Sequence, residues 1–268
     1  TSSAGSDVTA WPAYRALYPT GELWRRAEVA RAHLHACDLC GRRCGVDRLA
    51  GGAPGSCRTG ARAVVGSWGP HHGEEDPIRG RRGSGTVFFA FCNLSCEFCQ
   101  NFELSHLGEG REATAGALAG IFLALQREGC HNVNLVSPTH VLPQVLEALQ
   151  LAADSGLTLP LVWNSGGYDS PEALALLDGV VDIYMPDMKY GDAQTALSLS
   201  HVPDYPAVNR AAVKEMHRQV GDLVLDADGV AVRGLLVRHL VLPWGLSGSR
   251  EVFRFLAEEV SKNTWLNV

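Results

Sequence analysis

Residues 86–99 read Thr-Val-Phe-Phe-Ala-Phe-Cys-Asn-Leu-Ser-Cys-Glu-Phe-Cys, an apolar run that leads directly into three cysteines. The run at 86–91 is short and rich in β-branched and aromatic residues, which predicts a buried β-strand. The loop after it carries Cys92, Cys96 and Cys99. Three thiolates can bind three corners of an iron–sulfur cube, or three positions of a zinc ion, and leave one position for another ligand. The stretch therefore predicts a metal with an open coordination position at the end of a strand.

From residue 85 onward, short apolar segments alternate with helical ones. Strands are predicted at 86–91, 132–137, 159–164, 180–185, 234–242 and 264–268, with helices near 115–128, 142–154, 171–177, 206–220 and 249–261. Apolar strands separated by helices indicate a parallel sheet that is covered on both faces. This pattern favours an α/β fold of the partial (β/α)6 TIM-type barrel, with a doubly wound sheet as the alternative. In either fold the active site lies at the carboxyl ends of the strands.

A second group of four cysteines precedes the predicted barrel, in a glycine-rich segment with few apolar residues: Cys37, Cys40, Cys44 and Cys57. Four thiolates suffice for a closed zinc site or an auxiliary iron–sulfur cluster, and the spacing leaves both open. We predict that residues 1–84 form a small Cys-rich metal-binding extension and that residues 85–268 form the barrel. Within the extension we expect a helix near 22–35 and a long connecting loop at 61–84. The remaining cysteine, Cys130, is predicted to be a buried thiol.

Composition narrows the classes of protein. The net charge of −6 argues against a nucleic-acid binder, which normally presents a basic surface. The sequence contains no apolar run of about 20 residues that would cross a bilayer, and residues 1–10 lack the pattern of a secretory signal. We therefore expect a cytoplasmic protein without nucleic-acid or membrane partners. Clustered cysteines in such a chain favour metal binding over disulfides.

The C-x3-C-x2-C spacing of the cysteine loop, with Phe98 before the last cysteine, resembles the signature of radical S-adenosylmethionine (SAM) enzymes. Residues 37–48, 71–75 and 96–101 resemble the branch of that superfamily labelled as pyruvate formate-lyase activating enzyme homologues. The resemblance implies a 4Fe–4S cluster whose open iron is chelated by the amino and carboxylate groups of SAM. The reduced cluster then cleaves SAM to methionine and a 5′-deoxyadenosyl radical. It also implies an electron donor such as flavodoxin or ferredoxin.

The same resemblance assigns SAM contacts to polar residues at the strand ends. Phe98 is expected near the adenine. The remaining candidates are Ser137, Thr139 and His140 after the second strand, Asn164 and Ser165 after the third, and Asp187 and Lys189 after the fourth. Lys189, oriented by Asp187, would meet the SAM carboxylate. The alternatives are a helix cap for Ser137 and Thr139 and a surface salt bridge for Lys189 with Asp187.

Two further groups are candidates for catalytic residues. Arg238 and His239 lie inside an apolar strand, where burial demands a partner, so we expect them to line the cavity. Just before the first strand stands a compact polar set that is suited to substrate contact or proton transfer: His71, His72, Glu74 and Glu75. A solvated loop is the alternative interpretation for this set.

The resemblance implies hydrogen abstraction from a substrate, for which two options remain open. One is a protein substrate, namely a glycyl-radical enzyme that this chain would activate. The other is a small molecule or peptide. A hypothesis from a different class is a non-catalytic zinc or iron–sulfur binding module. Such a module would explain Cys37 to Cys57 but not a three-thiol loop with an open coordination position.

Overall fold

The computed structural model describes residues 11–51 and 55–268, in which the apolar segments form a mixed sheet of nine strands. The strands are β1 (Ala63–His71), β2 (Ser84–Phe89), β3 (Arg111–Ala113), β4 (Val133–Val136), β5 (Leu161–Asn164), β6 (Ile183–Tyr184), β7 (Val224–Leu225), β8 (Ala231–Arg238) and β9 (Trp265–Asn267). Their order across the sheet is β3-β1-β2-β4-β5-β6-β8-β7, and β9 pairs with β8. The predicted α/β class is confirmed.

Six strands are parallel to one another: β2, β4, β5, β6, β8 and β9. Within this set, each strand pairs with the member that follows it in the chain. A doubly wound sheet requires a point at which the strand order reverses. The six strands have no such reversal, so the doubly wound alternative does not describe this sheet. Within the described residues the two edges of the sheet do not pair with each other, and the sheet stays open.

The prediction of a connecting loop at residues 61–84 is wrong. Strand β1 occupies much of this segment and pairs antiparallel with both β2 and β3. Gly66, Gly69 and Pro70 interrupt its apolar pattern, and the strand forms because two long-range neighbours satisfy its backbone. The sheet therefore begins before residue 84, inside the segment that was assigned to the extension.

Nine α-helices connect or flank the strands in the described part of the chain. They are α1 (Tyr14–Leu17), α2 (Glu22–Ala32), α3 (Asp76–Arg79), α4 (Ala115–Arg127), α5 (Leu142–Asp154), α6 (Pro171–Leu177), α7 (Ala193–Ser200), α8 (Tyr205–Val220) and α9 (Ser249–Phe255). Side-chain caps on the first turns of α4, α6 and α7 come from Thr114, Ser170 and Asp192. No helix in residues 11–51 or 55–268 combines the length and apolar character that crossing a bilayer requires.

The two faces of the sheet are covered differently. On one face, a large apolar cluster joins Leu135 of β4 and Trp163 of β5 to helices α4 and α5, and it includes Leu23 of α2. The described N-terminal helices thus share the core of the sheet. On the other face a smaller cluster surrounds Val162 and Ile183. Side chains alternate along a strand, so Asn164 of β5 points to the same face as Val162. A cavity opens on this second face, at the carboxyl ends of the strands.

Candidate active site

A cavity of about 510 Å³ lies at the carboxyl ends of the parallel strands. Phe88, Val136 and Asn164 occupy one register row across β2, β4 and β5 and line it together. Fourteen of the predicted site residues contribute to its wall: His71, Glu74, Glu75, Cys92, Cys96, Phe98, Cys99, Ser137, Asn164, Ser165, Asp187, Lys189, Arg238 and His239. The cavity therefore brings together residues that are far apart in the sequence, from His71 to His239.

Three residues that were predicted for catalysis or SAM binding do not line this cavity. His72 is exposed. Thr139 and His140 fall in a tight helical turn after β4 and are 1% and 2% exposed. Thr139 donates to the Asp169 carboxylate at 2.7 Å, and a ring nitrogen of His140 lies 3.0 Å from the Ala90 carbonyl oxygen. Burial lowers the pKa of His140 to about 4, so its ring is neutral. The two side chains brace the loops around the cavity.

The three cysteines of the loop line the same cavity, and serine hydroxyl groups lie close to two of their sulfur atoms. Ser200 donates to the Cys96 sulfur at 3.0 Å, and the Cys99 sulfur lies 3.1 Å from the Ser105 hydroxyl. Burial raises the pKa of Cys92 to about 12, and Cys96 and Cys99 add to the effect. Thiols in such a setting become thiolates when a cation binds them. The donor set fits an iron–sulfur cluster in its chemistry.

A single metal ion would need several ligating side chains that converge on one point. No three His, Cys, Asp or Glu side chains in residues 11–51 and 55–268 form a group that would hold one metal ion. Each thiolate of a four-iron cluster binds a different iron. The fit of such a cluster therefore depends on the donor set and not on convergence at one point.

Strained backbone marks the ends of the two strands next to the loop. Phe91, directly before Cys92, has φ 66°, and Ser137, after β4, has φ 56°. Such left-handed conformations cost about 1–3 kcal/mol each in residues other than glycine, and they cluster at functional sites. Gly166 lies beside the loop, where an added Cβ would approach Leu94 to 2.7 Å. The loop is thus held closely against the end of β5.

A buried ionic network forms one wall of the cavity. Asp187 accepts from Lys189 at 2.6 Å and from Arg238 at 3.1 Å, while Arg238 also donates to Asn164 at 2.7 Å. Burial alone would raise the pKa of Asp187, but the two cations hold it below its ordinary value. The side chains of Lys189 and Asp187 are only 16% and 21% exposed, so the surface salt-bridge interpretation is wrong. His239 is fixed by the Met188 carbonyl and the Ser249 hydroxyl.

Glu74 and Glu75 lie at another part of the wall. The Glu74 side chain is 8% exposed, and its Oε2 lies 3.9 Å from Nη1 of Arg238. Burial raises the pKa of Glu74 to about 7, against the opposing effect of Arg238. Glu75 accepts from Asn267 of β9 at 2.9 Å. The solvated-loop interpretation is therefore wrong for Glu74.

The N-terminal cysteines lie outside this cavity. Cys37, Cys40 and Cys57 are buried, and Cys44 is exposed. Burial raises the pKa of Cys40 to about 12, and the other three thiols raise it further. Cys130 is buried, as predicted.

The segment that carries these cysteines is joined to the cysteine loop. Arg42 donates to the carbonyl of Asn93, and the Asn93 side chain donates to the carbonyl of Tyr168, both at 3.0 Å. The backbone N–H of Gly41 donates to the same Tyr168 carbonyl at 3.2 Å. An added Cβ on Gly41 would lie 2.4 Å from the Tyr168 ring, so only glycine permits this approach.

Asp169 is a site residue that the sequence pattern did not reveal. It is 1% exposed and accepts from Ser165 at 2.7 Å, from Thr139 at 2.7 Å and from Trp163 at 3.1 Å. Burial raises its pKa although three donors oppose the effect. Asp169 thus fixes Ser165 at the cavity wall. An isolated Asp after a Gly-Gly-Tyr sequence carries no signal for this role.

Over 252 residues the chain is 29% identical to a protein of Methanocaldococcus jannaschii described as "Uncharacterized protein MJ0674". The match covers 91% of this chain and 68% of that protein. No protein-family model matches the chain. Function is therefore inferred from the residues of the cavity.

Proposed function

We propose that the chain is a radical SAM enzyme that holds a 4Fe–4S cluster through Cys92, Cys96 and Cys99. One observation supports the proposal most directly. Three thiols of a single loop line one cavity together with polar side chains at the carboxyl ends of three neighbouring parallel strands. Three thiolates leave one iron of a four-iron cluster free for another ligand. The polar wall beside them supplies partners for the amino and carboxylate groups of SAM.

The finer description of the fold belongs to the same proposal. The six parallel strands follow one another in chain order, as they do in a TIM-type barrel, and the sheet stays open. We infer a partial (β/α)6 barrel to which β1, β3 and β7 are added. Polar residues at the carboxyl ends of its strands then occupy the position where such folds carry their chemistry.

The bound cluster, once reduced, would supply the electron that cleaves SAM reductively to methionine and a 5′-deoxyadenosyl radical. The chain's own residues have binding and orienting roles in this proposal. Lys189 presents a fixed positive charge to the SAM carboxylate, because Asp187 holds its amine at 2.6 Å. Asn164 and Ser165 lie on the same wall, and the Phe98 ring offers a flat apolar surface for the adenine.

The electron would come from a small redox protein such as flavodoxin or ferredoxin. The four N-terminal cysteines form a second metal site in this proposal, holding zinc or an auxiliary iron–sulfur cluster. Their contacts through Arg42 and Asn93 support the cysteine loop, since Asn93 directly follows Cys92. The substrate would be a glycyl-radical enzyme, or a small molecule or peptide.

The test is an assay under anaerobic conditions with reconstituted protein, dithionite and SAM. The proposal expects formation of 5′-deoxyadenosine and methionine in equal amounts, detected by chromatography with mass spectrometry. A Cys130→Ala variant is the matched control, since it removes a buried thiol outside the cavity and should keep the activity. Iron-loaded protein that forms neither product would reject the proposal.

A further inference from the structure

Two carboxylates stand at the border between the main cavity and a second one. Gly73, Glu74, Glu75 and Asn267 line both cavities. The second has a volume of about 370 Å³ and is lined by none of the cysteines. Glu74 and Glu75 are thus reached from the cysteine loop through one continuous cavity. They have no part in the proposed binding of the cluster or of SAM.

Polar atoms around these carboxylates lack hydrogen-bond partners. Glu75 uses Oε1 to accept from Asn267, but its buried Oε2 has no partner among the described residues. Asn134 is 0% exposed, and neither of its side-chain atoms forms a well-aligned hydrogen bond among the described residues, although its amide lowers the pKa of Glu74. It lies on the same face of β4 as Val136, which lines the cavity. Each such atom destabilises the fold unless a ligand or water satisfies it.

The balance of charge favours a cation here. Three carboxylates line the cavity, those of Glu74, Glu75 and Asp187, together with two positively charged side chains, Lys189 and Arg238. Both positively charged side chains are already hydrogen-bonded to Asp187. The Arg238 guanidinium also lies 3.9 Å from Glu74, so the three carboxylates share two cations and an uncompensated negative charge remains. An anionic or wholly apolar group would leave these carboxylates and the buried atoms around them unsatisfied.

We infer that Glu74 and Glu75 form a substrate subsite that binds an organic cation, namely an ammonium or guanidinium group. The unpartnered Oε2 of Glu75 accepts from it, and the carbon skeleton extends through the cavity toward the cysteine loop. Asn134 contributes an amide at the same end. The identification of this cation as the substrate rests on the proposed function, whereas its binding does not.

The test compares two probes of equal size, n-butylamine and butan-1-ol, by saturation-transfer NMR on the anaerobically reconstituted protein with SAM present. A charged hydrogen bond to a buried carboxylate predicts that the amine binds about tenfold tighter or more. Glu75→Gln should remove that preference. Glu112→Gln should keep it, because Glu112 is an exposed carboxylate on β3 that pairs with Arg62. The comparison of the two probes is made in the unmodified protein, so this part of the test does not depend on whether a variant folds.

The same samples are assayed for 5′-deoxyadenosine, which separates the two proposals. Cleavage of SAM without any preference for the amine overturns the cation subsite and leaves the radical SAM proposal in place. A preference for the amine that depends on Glu75, without cleavage of SAM, supports the subsite and rejects the radical SAM proposal. Equal affinity of Glu75→Gln and unmodified protein for the amine overturns the subsite in either case.

Discussion

The two groups of cysteines differ in what surrounds them, although both are closely spaced in the sequence. Cys92, Cys96 and Cys99 face a cavity with charged and amide side chains on its wall. The four N-terminal cysteines lie outside that cavity, and three of them are buried. Enclosure by protein suits a structural metal, whereas an adjoining cavity suits a metal that exchanges ligands. The surroundings of the thiols, more than their number, indicate what each group does.

The largest effect is expected from replacing Cys92, Cys96 and Cys99 together by Ala. Formation of 5′-deoxyadenosine should fall below detection, because no thiolate remains in the cavity to hold the cluster. Iron and sulfide analysis should show the loss of about four of each per chain. If the variant keeps all of its iron, the cavity is not the cluster site and the chain is better described as a metal-binding module.

A smaller effect is expected from Cys40→Ala combined with Cys57→Ala. If the N-terminal site contributes folding energy as structural metal sites do, Tm should fall by roughly 10 °C, which corresponds to about 3–5 kcal/mol in a chain of this size. Iron at the cavity should remain, and the metal that is lost identifies the site as zinc or iron–sulfur. An unchanged Tm and metal content would show that these four thiols bind nothing.

Lys189→Met tests the ionic wall of the cavity. We expect the fold to persist, because Arg238 still pairs with Asp187, while the KM for SAM rises by roughly 10- to 100-fold. Lys214→Met is the control, since Lys214 forms an exposed pair with Glu259 outside the cavity. The assignment of the SAM carboxylate to Lys189 is wrong if both variants show the same KM as the unmodified protein.

Glu74→Gln should change how stability depends on pH. An unfolded Glu releases its proton near its ordinary pKa of 4.5, whereas burial raises the pKa of Glu74 to about 7 in the folded chain. Between these values the folded state binds more protons, so the free energy of unfolding falls as the pH rises, by up to about 3 kcal/mol. Arg238 opposes this effect and Glu75 adds to it.

The difference in the free energy of unfolding between the unmodified protein and Glu74→Gln isolates the contribution of this carboxyl group. At pH 8 the Gln variant should be the more stable one by about 1–3 kcal/mol, and at pH 4 the two should unfold alike. Urea unfolding at a series of pH values measures the difference. A constant difference across this range would mean that Glu74 titrates normally.

The sequence predicted elements best where local signals agree. Helix α6 begins and ends as predicted, at Pro171 and Leu177, because Ser170 caps it and a proline occupies its first position. Strand β1 was missed because glycines and a proline break its pattern and only long-range pairing to β2 and β3 stabilises it. Local patterns carry no signal for such pairing.

The sequence predicted only part of the candidate site, again because local patterns do not reveal long-range contacts. Asn164 and Lys189 follow parallel strands, whose carboxyl ends gather at one edge of a sheet, so their meeting was foreseeable. Thr139 and His140 follow a strand as well, but the tight turn that they form directs them into the interior. Asp169 acts through tertiary hydrogen bonds to Thr139, Trp163 and Ser165, and a single acidic residue in the sequence carries no local signal for such contacts.

The open iron of the proposed cluster is tested most directly by electron paramagnetic resonance of the dithionite-reduced protein before and after SAM is added. Cys37, Cys40, Cys44 and Cys57 are all replaced by Ala in this sample. We expect one cluster signal, which arises from the cysteine loop and changes when SAM binds to the open iron. A cluster signal that stays unchanged at saturating SAM, or no cluster signal in a folded protein, would contradict this expectation.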